Sequence, residues 1–363
     1  MKYANGVPVT KERCDIVLPL IDLHLHLPGT VRPETLAELA GANGVELPLP
    51  ASQLYPRINS DPTEEESTRG PWFPLLRVYE LISASLRKRE DFARVVFEAL
   101  EDGRRDSGLC YAELAFSPSV HMQAGVDYTA MTAGIADGLA RARDELGVDG
   151  RAIAAVNRED TAEVAVKMVE TVIAHPCPDV VGIGLDFYEL AGLPEKFAEA
   201  FRLAGEQGLF RTAHAGEHAP TAQTVSTALD VLGCDRIDHG YQILRDPEIV
   251  ALCAERGTIF NVAFTTSRRA LIDWRKESVS AMVDAGLKVS INSDDPALFP
   301  TTLRREMDIA GELMPTIDEA WFVENSIAAA FLDDEAKAGL RARVFEGIGQ
   351  WHRDSRQHSA SKP

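Results

Sequence analysis

Eight short apolar runs, alternating over most of the chain with segments of helical period, constrain this sequence more than any other feature. The runs are Leu18–Leu25, Leu109–Phe116, Arg151–Val156, Val180–Leu185, Leu209–Ala213, Arg236–Asp238, Thr258–Val262 and Leu287–Ile291. Many are rich in β-branched residues, as parallel strands buried on both faces are. Between them, Asp91–Asp106, Tyr128–Leu146, Thr161–Ile173, Pro194–Gln207, Thr221–Leu232, Asp246–Glu255 and Lys276–Ala285 read as helices. Each starts near a capping residue or a proline, and several stop before a glycine (Gly147, Gly208, Gly257, Gly286). From Arg151 onward the strands recur about every 25–30 residues, the length of one βα unit, so eight of them predict a (β/α)8 barrel. The competing architecture is an open doubly wound sheet. No GxGxxG follows the first strand, and the ionisable strand ends described below come from many strands, which favours the barrel.

The chain has 363 residues, and barrels of roughly 250 residues or more commonly form one domain. Residues 1–351 are therefore expected to be a single barrel domain and 352–363 a polar C-terminal tail. The first two strands are far apart. Between them lie 44–71, rich in Pro, Ser, Asp and Glu, and the apolar segment Trp72–Leu86. Residues 44–86 read as an insertion over one barrel mouth, either a lid or a surface loop with a peripheral helix pair.

Hydrophobic residues make up 45% and charged residues 26%, which excludes disorder over most of the chain. Lys+Arg total 37 against 56 Asp+Glu, a net charge of −19. Such a surface repels phosphate backbones and anionic lipid, so nucleic acid and membranes are poor partners, while a small molecule in a neutral cleft stays open. No stretch approaches the roughly 20 apolar residues of a membrane span. The N-terminus up to Cys14 lacks the apolar core of a signal peptide. Cys14, Cys110, Cys177, Cys234 and Cys253 are scattered and never spaced CxxC. They read as reduced thiols in a cytoplasm, against a disulfide framework or a Cys-based zinc site. Oligomeric state stays open.

The first strand ends in His24-Leu25-His26, and alternation puts both imidazoles on one face, the barrel interior. An HxH alone is a weak metal signal. The fifth strand, however, ends in His214-Ala-Gly-Glu217, the sixth in Asp238-His239-Gly240 and the eighth in Asn292-Ser-Asp294-Asp295. In a barrel all these ends face one mouth, where chance coincidence is improbable. His24, His26, His214 and Asp294 supply the neutral nitrogens and carboxylate suited to Zn²⁺. No Lys ends the fourth strand to bridge a second metal, so one metal is expected, lowering the pKa of a bound water to about 7. Glu217 is placed to move a proton, His239 to hold or deprotonate the water, and Asp295 to accept a hydrogen bond from substrate.

HLHLPGTVRPETL, AHAGEHAPTA, RIDHGYQIL and SINSDDPALF together resemble, in order and spacing, four signatures of the adenosine/adenine deaminases within the metal-dependent amidohydrolase superfamily. The resemblance spans about Pro19 to Glu306. It implies a distorted (β/α)8 barrel, one zinc per subunit, and hydrolytic deamination at C6 of a purine with release of ammonia. It further implies His24, His26, His214 and Asp294 as zinc ligands and Glu217 as the acid that protonates purine N1. His239 would orient and activate the water, and Asp295 would contact the attacking hydroxide or ring N7. The chemistry is coherent. An aminopurine is a poor electrophile, and protonating N1 draws charge from C6 as the nucleophile attacks. Glu217 must then have a raised pKa or borrow a proton from the water. The H-x-E…P-C-x-x-C signature of cytidine-type deaminases is absent.

Three departures concern the substrate. Pro28 stands where adenosine deaminases usually carry an acid for the ribose 5′-hydroxyl and adenine deaminases usually carry Glu. Phe187 follows a GxGLD strand resembling the adenine deaminase branch; with His26 and Asp295 it is a candidate substrate contact. FNVAFTTSRR replaces an apolar-Cys-Pro-x-Ser-Asn pattern; Arg268 and Arg269 there either meet an anionic group or are solvated charges. The substrate is expected to be adenosine or a 5′-modified adenine nucleoside. Free adenine, or another mononuclear zinc amidohydrolase reaction, is the alternative. A binding protein on an inactivated barrel would have lost a ligand or Glu217, and neither is lost.

Overall fold

The computed structural model describes residues 18–58, 73–267 and 269–345. Part of the insertion, Arg268 and the tail 352–363 lie outside them. Eight strands follow in chain order: β1 Leu20–His26, β2 Leu109–Phe116, β3 Asp149–Asn157, β4 Val180–Asp186, β5 Phe210–Ala215, β6 Arg236–His239, β7 Ile259–Val262 and β8 Lys288–Ile291. They pair in that same order, all parallel. Just past β8, the Asp294 amide donates to the His24 carbonyl at 2.9 Å and the His26 amide to the Asp294 carbonyl at 3.1 Å. These bonds close the sheet into a (β/α)8 barrel, as the βα spacing predicts, and fasten both ends of the metal-ligand candidates together.

Helices between the strands form the outer layer. Asp127 caps Tyr128–Leu146 and Asp246 caps Pro247–Arg256 through their carboxylates, and Gly147 and Gly257 end them in left-handed conformation. Two helix starts differ from the sequence reading by more than two residues. Pro194–Phe197 is a 3₁₀ turn ahead of the helix Ala198–Glu206. The helix expected from Lys276 begins at Ile272, because Arg275 is buried and interrupts the apolar pattern. Within the insertion, the described helices are Ala51–Ile58 and Phe73–Ser85, and the second lies over the C-terminal ends of the strands.

The barrel floor is locked by charge. Arg236 pairs with Glu113 at 2.6 Å and donates to the carbonyls of Leu23 and Ala329, each at 2.9 Å. Its guanidinium lies 3.8 Å from the Phe331 ring centre. Both charged groups are buried and paired with each other, and Glu113 Oε1 also accepts from the Tyr111 hydroxyl and the Phe331 amide, while Arg236 Nε is left without a hydrogen-bond partner. Among the described residues Cys110, Cys177, Cys234 and Cys253 are free, and no helix is long and apolar enough to cross a membrane.

Candidate active site

Strand ends deliver the predicted residues to one point. Alternation along β1 turns His24 and His26 inward together. His26 Nε2 lies 3.1 Å from His214 Nε2, and Asp294 Oδ1 lies 3.4 Å from Nε2 of both His24 and His26. Four donor atoms around one ion at about 2.0–2.1 Å would sit about 3.3–3.4 Å apart, a spacing these separations approach. The other ring nitrogens are already spoken for. His24 Nδ1 faces Asp238 at 3.2 Å, His26 Nδ1 faces Asp186 at 3.3 Å, and His214 Nδ1 meets the Leu185 carbonyl at 3.1 Å. That carbonyl is free because β4 and β5 pair only at Gly182–Phe210 and Ile183–Arg211, before the mouth. With each Nδ1 turned to an acceptor, the Nε2 lone pairs converge. His24 Nε2 is buried with no hydrogen-bond partner, an orphan that a cation would satisfy. His24, His214 and His239 form a second group whose ligand atoms lie within 4.8 Å of one another.

Charge supports the same assignment. Burial opposes protonation of His26, yet Asp186 outweighs it and raises the imidazole to about 9. His24 is likewise raised despite burial, by Asp238 and Asp294. Asp294 and Asp238 stay well below the usual carboxylate range, although burial works against them, chiefly because His24 faces both. The carboxylates thus ask for positive charge at the centre, which protons supply in the ion-free protein and a divalent cation would supply instead. The donor set of imidazoles and one carboxylate fits Zn²⁺.

The loop after β5 carries Glu217, the candidate for moving a proton. Glu189, fully buried, accepts the amides of Gly216, Glu217, His218 and Ala219 at 2.8, 3.0, 2.6 and 2.8 Å. It acts as the floor of the loop, and the sequence reading missed it. Arg275 donates to Glu217 Oε1, and His218 Nδ1 lies 2.9 Å from Oε2. Burial alone would raise the Glu217 carboxyl, but His218, His239 and Arg275 hold it well below the usual range. Glu217 is therefore a carboxylate here rather than an acid of raised pKa. His239 Nε2 stands 3.7 Å from Glu217 Oε2. Burial keeps His239 neutral, well below its ordinary value. Tyr241 donates its hydroxyl proton to the Ala263 carbonyl at 2.8 Å and so receives His239 Nδ1–H at 3.2 Å. This leaves His239 Nε2 with a lone pair to accept a proton.

These groups line a cavity with Pro28, Leu75, Leu76, Tyr79, Ala115, Ser117, Phe187 and Phe299. Leu75, Leu76 and Tyr79 come from the insertion helix Phe73–Ser85. Tyr79, not anticipated from sequence, donates its hydroxyl to Asp295 Oδ1. Burial and neighbouring Asp294 raise the Asp295 carboxyl to about 7. The three non-glycine residues of positive φ among the described ones are Phe187 (69°), His239 (75°) and Asp294 (64°). All stand at this mouth, where strain is held by surrounding bonds because it aims side chains. The structure brings together His24, His26, His214, Asp294, Glu217, His239, Asp295, Phe187 and Pro28. Arg269 is not among them: it is exposed and lines a separate surface hollow.

Comparison with known proteins follows the same line. The adenosine deaminase family profile matches residues 19–347. An adenine deaminase of Streptomyces coelicolor is 34% identical over 341 residues, 91% of this chain and 95% of that protein. An aminodeoxyfutalosine deaminase of Acidothermus cellulolyticus is 32% identical over 336 residues, 89% of this chain and 90% of that one. A crystal structure of an amidohydrolase with bound zinc from Burkholderia ambifaria superposes with a TM-score of 0.81 at 31% identity, covering 93% of this chain and 92% of the other.

Proposed function

The chain belongs to the adenosine deaminase family of amidohydrolases, and we propose that it hydrolyses the C6–NH₂ bond of an uncharged 6-aminopurine nucleoside, adenosine or one modified at the 5′ position. The observation that carries this reading is the convergence of three imidazole Nε2 atoms and one carboxylate opposite Glu217 across a single cavity. His24, His26, His214 and Asp294 would hold one Zn²⁺ per subunit. When bound, that ion supplies Lewis acidity, making water a nucleophile near pH 7.

The chain's own residues do the rest. His239 Nε2 and Glu217 Oε2 flank the water and accept its proton. Glu217 then places that proton on purine N1, which draws electrons away from C6 as oxygen adds there. The water's second proton leaves with the amine, so C6–NH₂ plus H₂O gives the 6-oxopurine and NH₃. Asp295 orients the attacking oxygen or ring N7 from the opposite edge.

No Lys or Arg is among the described residues that line the cavity. A phosphate would find no Lys or Arg among these residues to pair with, which favours an uncharged nucleoside over AMP. Pro28, Leu75, Leu76, Phe187 and Phe299 form an apolar wall, suited to a 5′ group other than a free hydroxyl. Free adenine is the second reading. It is favoured by Tyr79 and Phe187, which meet edge to face with ring centres 6.4 Å apart in the cavity lining and offer aromatic surface to a base, and by the relative named adenine deaminase. Ammonia release by zinc-loaded protein from adenine, adenosine, 5′-deoxyadenosine, 5′-methylthioadenosine and AMP tests both. Nucleosides should exceed adenine, and adenine exceed AMP; no turnover of any aminopurine would overturn the proposal.

A further inference from the structure

We infer that Arg275 is a positioning residue for the proton transfer: it clamps Glu217 Oε1 so that Oε2 alone faces the reacting purine and water. The inference rests on the deaminase reading above but concerns a residue outside every strand-end motif. Arg275 lies in the first turn of the helix Ile272–Asp284 and is 1% exposed. One arm donates to Glu217 Oε1 and the other to the Thr266 carbonyl at 2.6 Å. Thr266 belongs to FNVAFTTSRR, the segment that departs from the family pattern. In this chain the departing segment and the arginine that docks on it form one unit.

The geometry makes the clamp directional. A carboxylate on one rotatable stem can exchange its two oxygens, and proton transfer then depends on which one is presented. Arg275 fixes one oxygen with a charge-assisted bond, while His218 stands at 2.9 Å and His239 at 3.7 Å from the other. The guanidinium carbon also lies 4.7 Å from the centre of the Tyr241 ring, and Tyr241 receives His239 Nδ1–H. A single side chain thus braces the stems of both proton-moving groups. His218 approaches Oε2 from the same loop, but no other group among the described residues is directed at Oε1. Arg158 spends its arms on the carbonyls of Gly192 and His214, and the Tyr241 hydroxyl is directed to Ala263. Lining up donor and acceptor in this way raises the rate of the chemical step more than the strength of substrate binding.

Arg275→Ala and Arg275→Lys, prepared with zinc and assayed on whichever aminopurine the wild type deaminates, test the inference. In Arg275→Ala, kcat should fall about 100-fold with KM within about threefold and zinc content unchanged. Guanidinium at tens of millimolar should restore part of the lost kcat and leave the wild type unaffected; Arg275→Lys should retain an intermediate rate. Crystal structures of both variants give a readout independent of turnover: in Arg275→Ala the Glu217 carboxylate should leave its wild-type position. Should Arg275→Ala be too unstable to isolate, Arg275→Lys answers both questions, with Oε1 released wherever the shorter ammonium fails to span the gap. A carboxylate unmoved in the variants, or kcat within threefold of wild type, overturns the inference. A wild type that releases no ammonia from any aminopurine overturns the deaminase reading instead, and the crystallographic comparison still decides the clamp.

Discussion

Glu189→Gln isolates what the buried floor of the Glu217 loop contributes. Oε2 of Glu189 accepts three amides, those of Glu217, His218 and Ala219, while Oε1 accepts only that of Gly216, which also reaches Thr224 Oγ1 at 2.9 Å. A glutamine must turn its oxygen toward the three-amide side, because Gly216 alone has a second acceptor. Its NH₂ then faces the Gly216 N–H, donor against donor. Three charge-assisted bonds of about 1.5–3 kcal/mol become neutral ones of about 0.5–1.5 kcal/mol, a loss of about 1–1.5 each and about 3–4.5 kcal/mol together. Against a total stability of about 5–15 kcal/mol the protein still folds. The loosened loop carries Glu217, so kcat should fall at least about tenfold, while zinc content holds because His214 precedes the loop on β5. Urea unfolding of both proteins, zinc stoichiometry and steady-state ammonia release are the assays. A variant within about 1 kcal/mol of wild type with unchanged kcat would refute the reasoning, showing that the four amides find other acceptors at no cost.

Glu217→Gln should keep zinc and lose about 10²–10⁴ in kcat; retained turnover would remove Glu217 from the proton path. Gly29→Ala should destabilise by about 1–3 kcal/mol and lower activity. Its new Cβ would lie 1.9 Å from Asp295 Oδ1 and 2.8 Å from Asp295 Cα, a backbone clash that no rotamer relieves; thermal melts and turnover check it. Zinc affinity, read with a chromophoric chelator, should weaken by up to about tenfold per pH unit below about 9, because His26 carries a proton there that the ion must displace; a pH-independent affinity would contradict the cluster. The same shift stabilises the zinc-free fold. His26 is raised from 6.5 to about 9, so its contribution is complete below pH 6.5 and vanishes as pH rises through about 9. Melting temperatures of chelator-treated protein should fall over that window. Glu113→Ala strands Arg236 in the barrel floor and should cost about 3–5 kcal/mol in urea unfolding with little change in KM.

What the sequence discloses and what it hides divide along a physical line. Strand periodicity is local, so the βα spacing predicts the barrel, and alternation in His24-Leu25-His26 predicts two imidazoles on one face. Strand C-termini share one mouth by topology, which gathers His214, Glu217, His239, Asp294 and Asp295 without knowledge of any distance. Asp186 and Asp238 lie at those same ends, yet their work is to face Nδ1 atoms of rings from other strands, and nothing local distinguishes them from capping carboxylates. Glu189 reads as a surface residue beside two exposed leucines, Leu190 and Leu193; only the fold turns it under the loop. Arg275 is hidden more actively. Helical reading follows apolar residues, and on the buried face of Ile272–Asp284 an arginine occupies the place of an aliphatic side chain ahead of Ser278, Val279 and Met282. The pattern therefore predicts a helix starting at Lys276, one residue too late to include the charge. A buried arginine needs a buried acceptor to be tolerated, and here that acceptor is Glu217, the carboxylate proposed to move the proton. The flaw in the apolar pattern and the catalytic geometry are consequently the same fact: a helix start displaced by a buried cation points to an anion held in place beneath it.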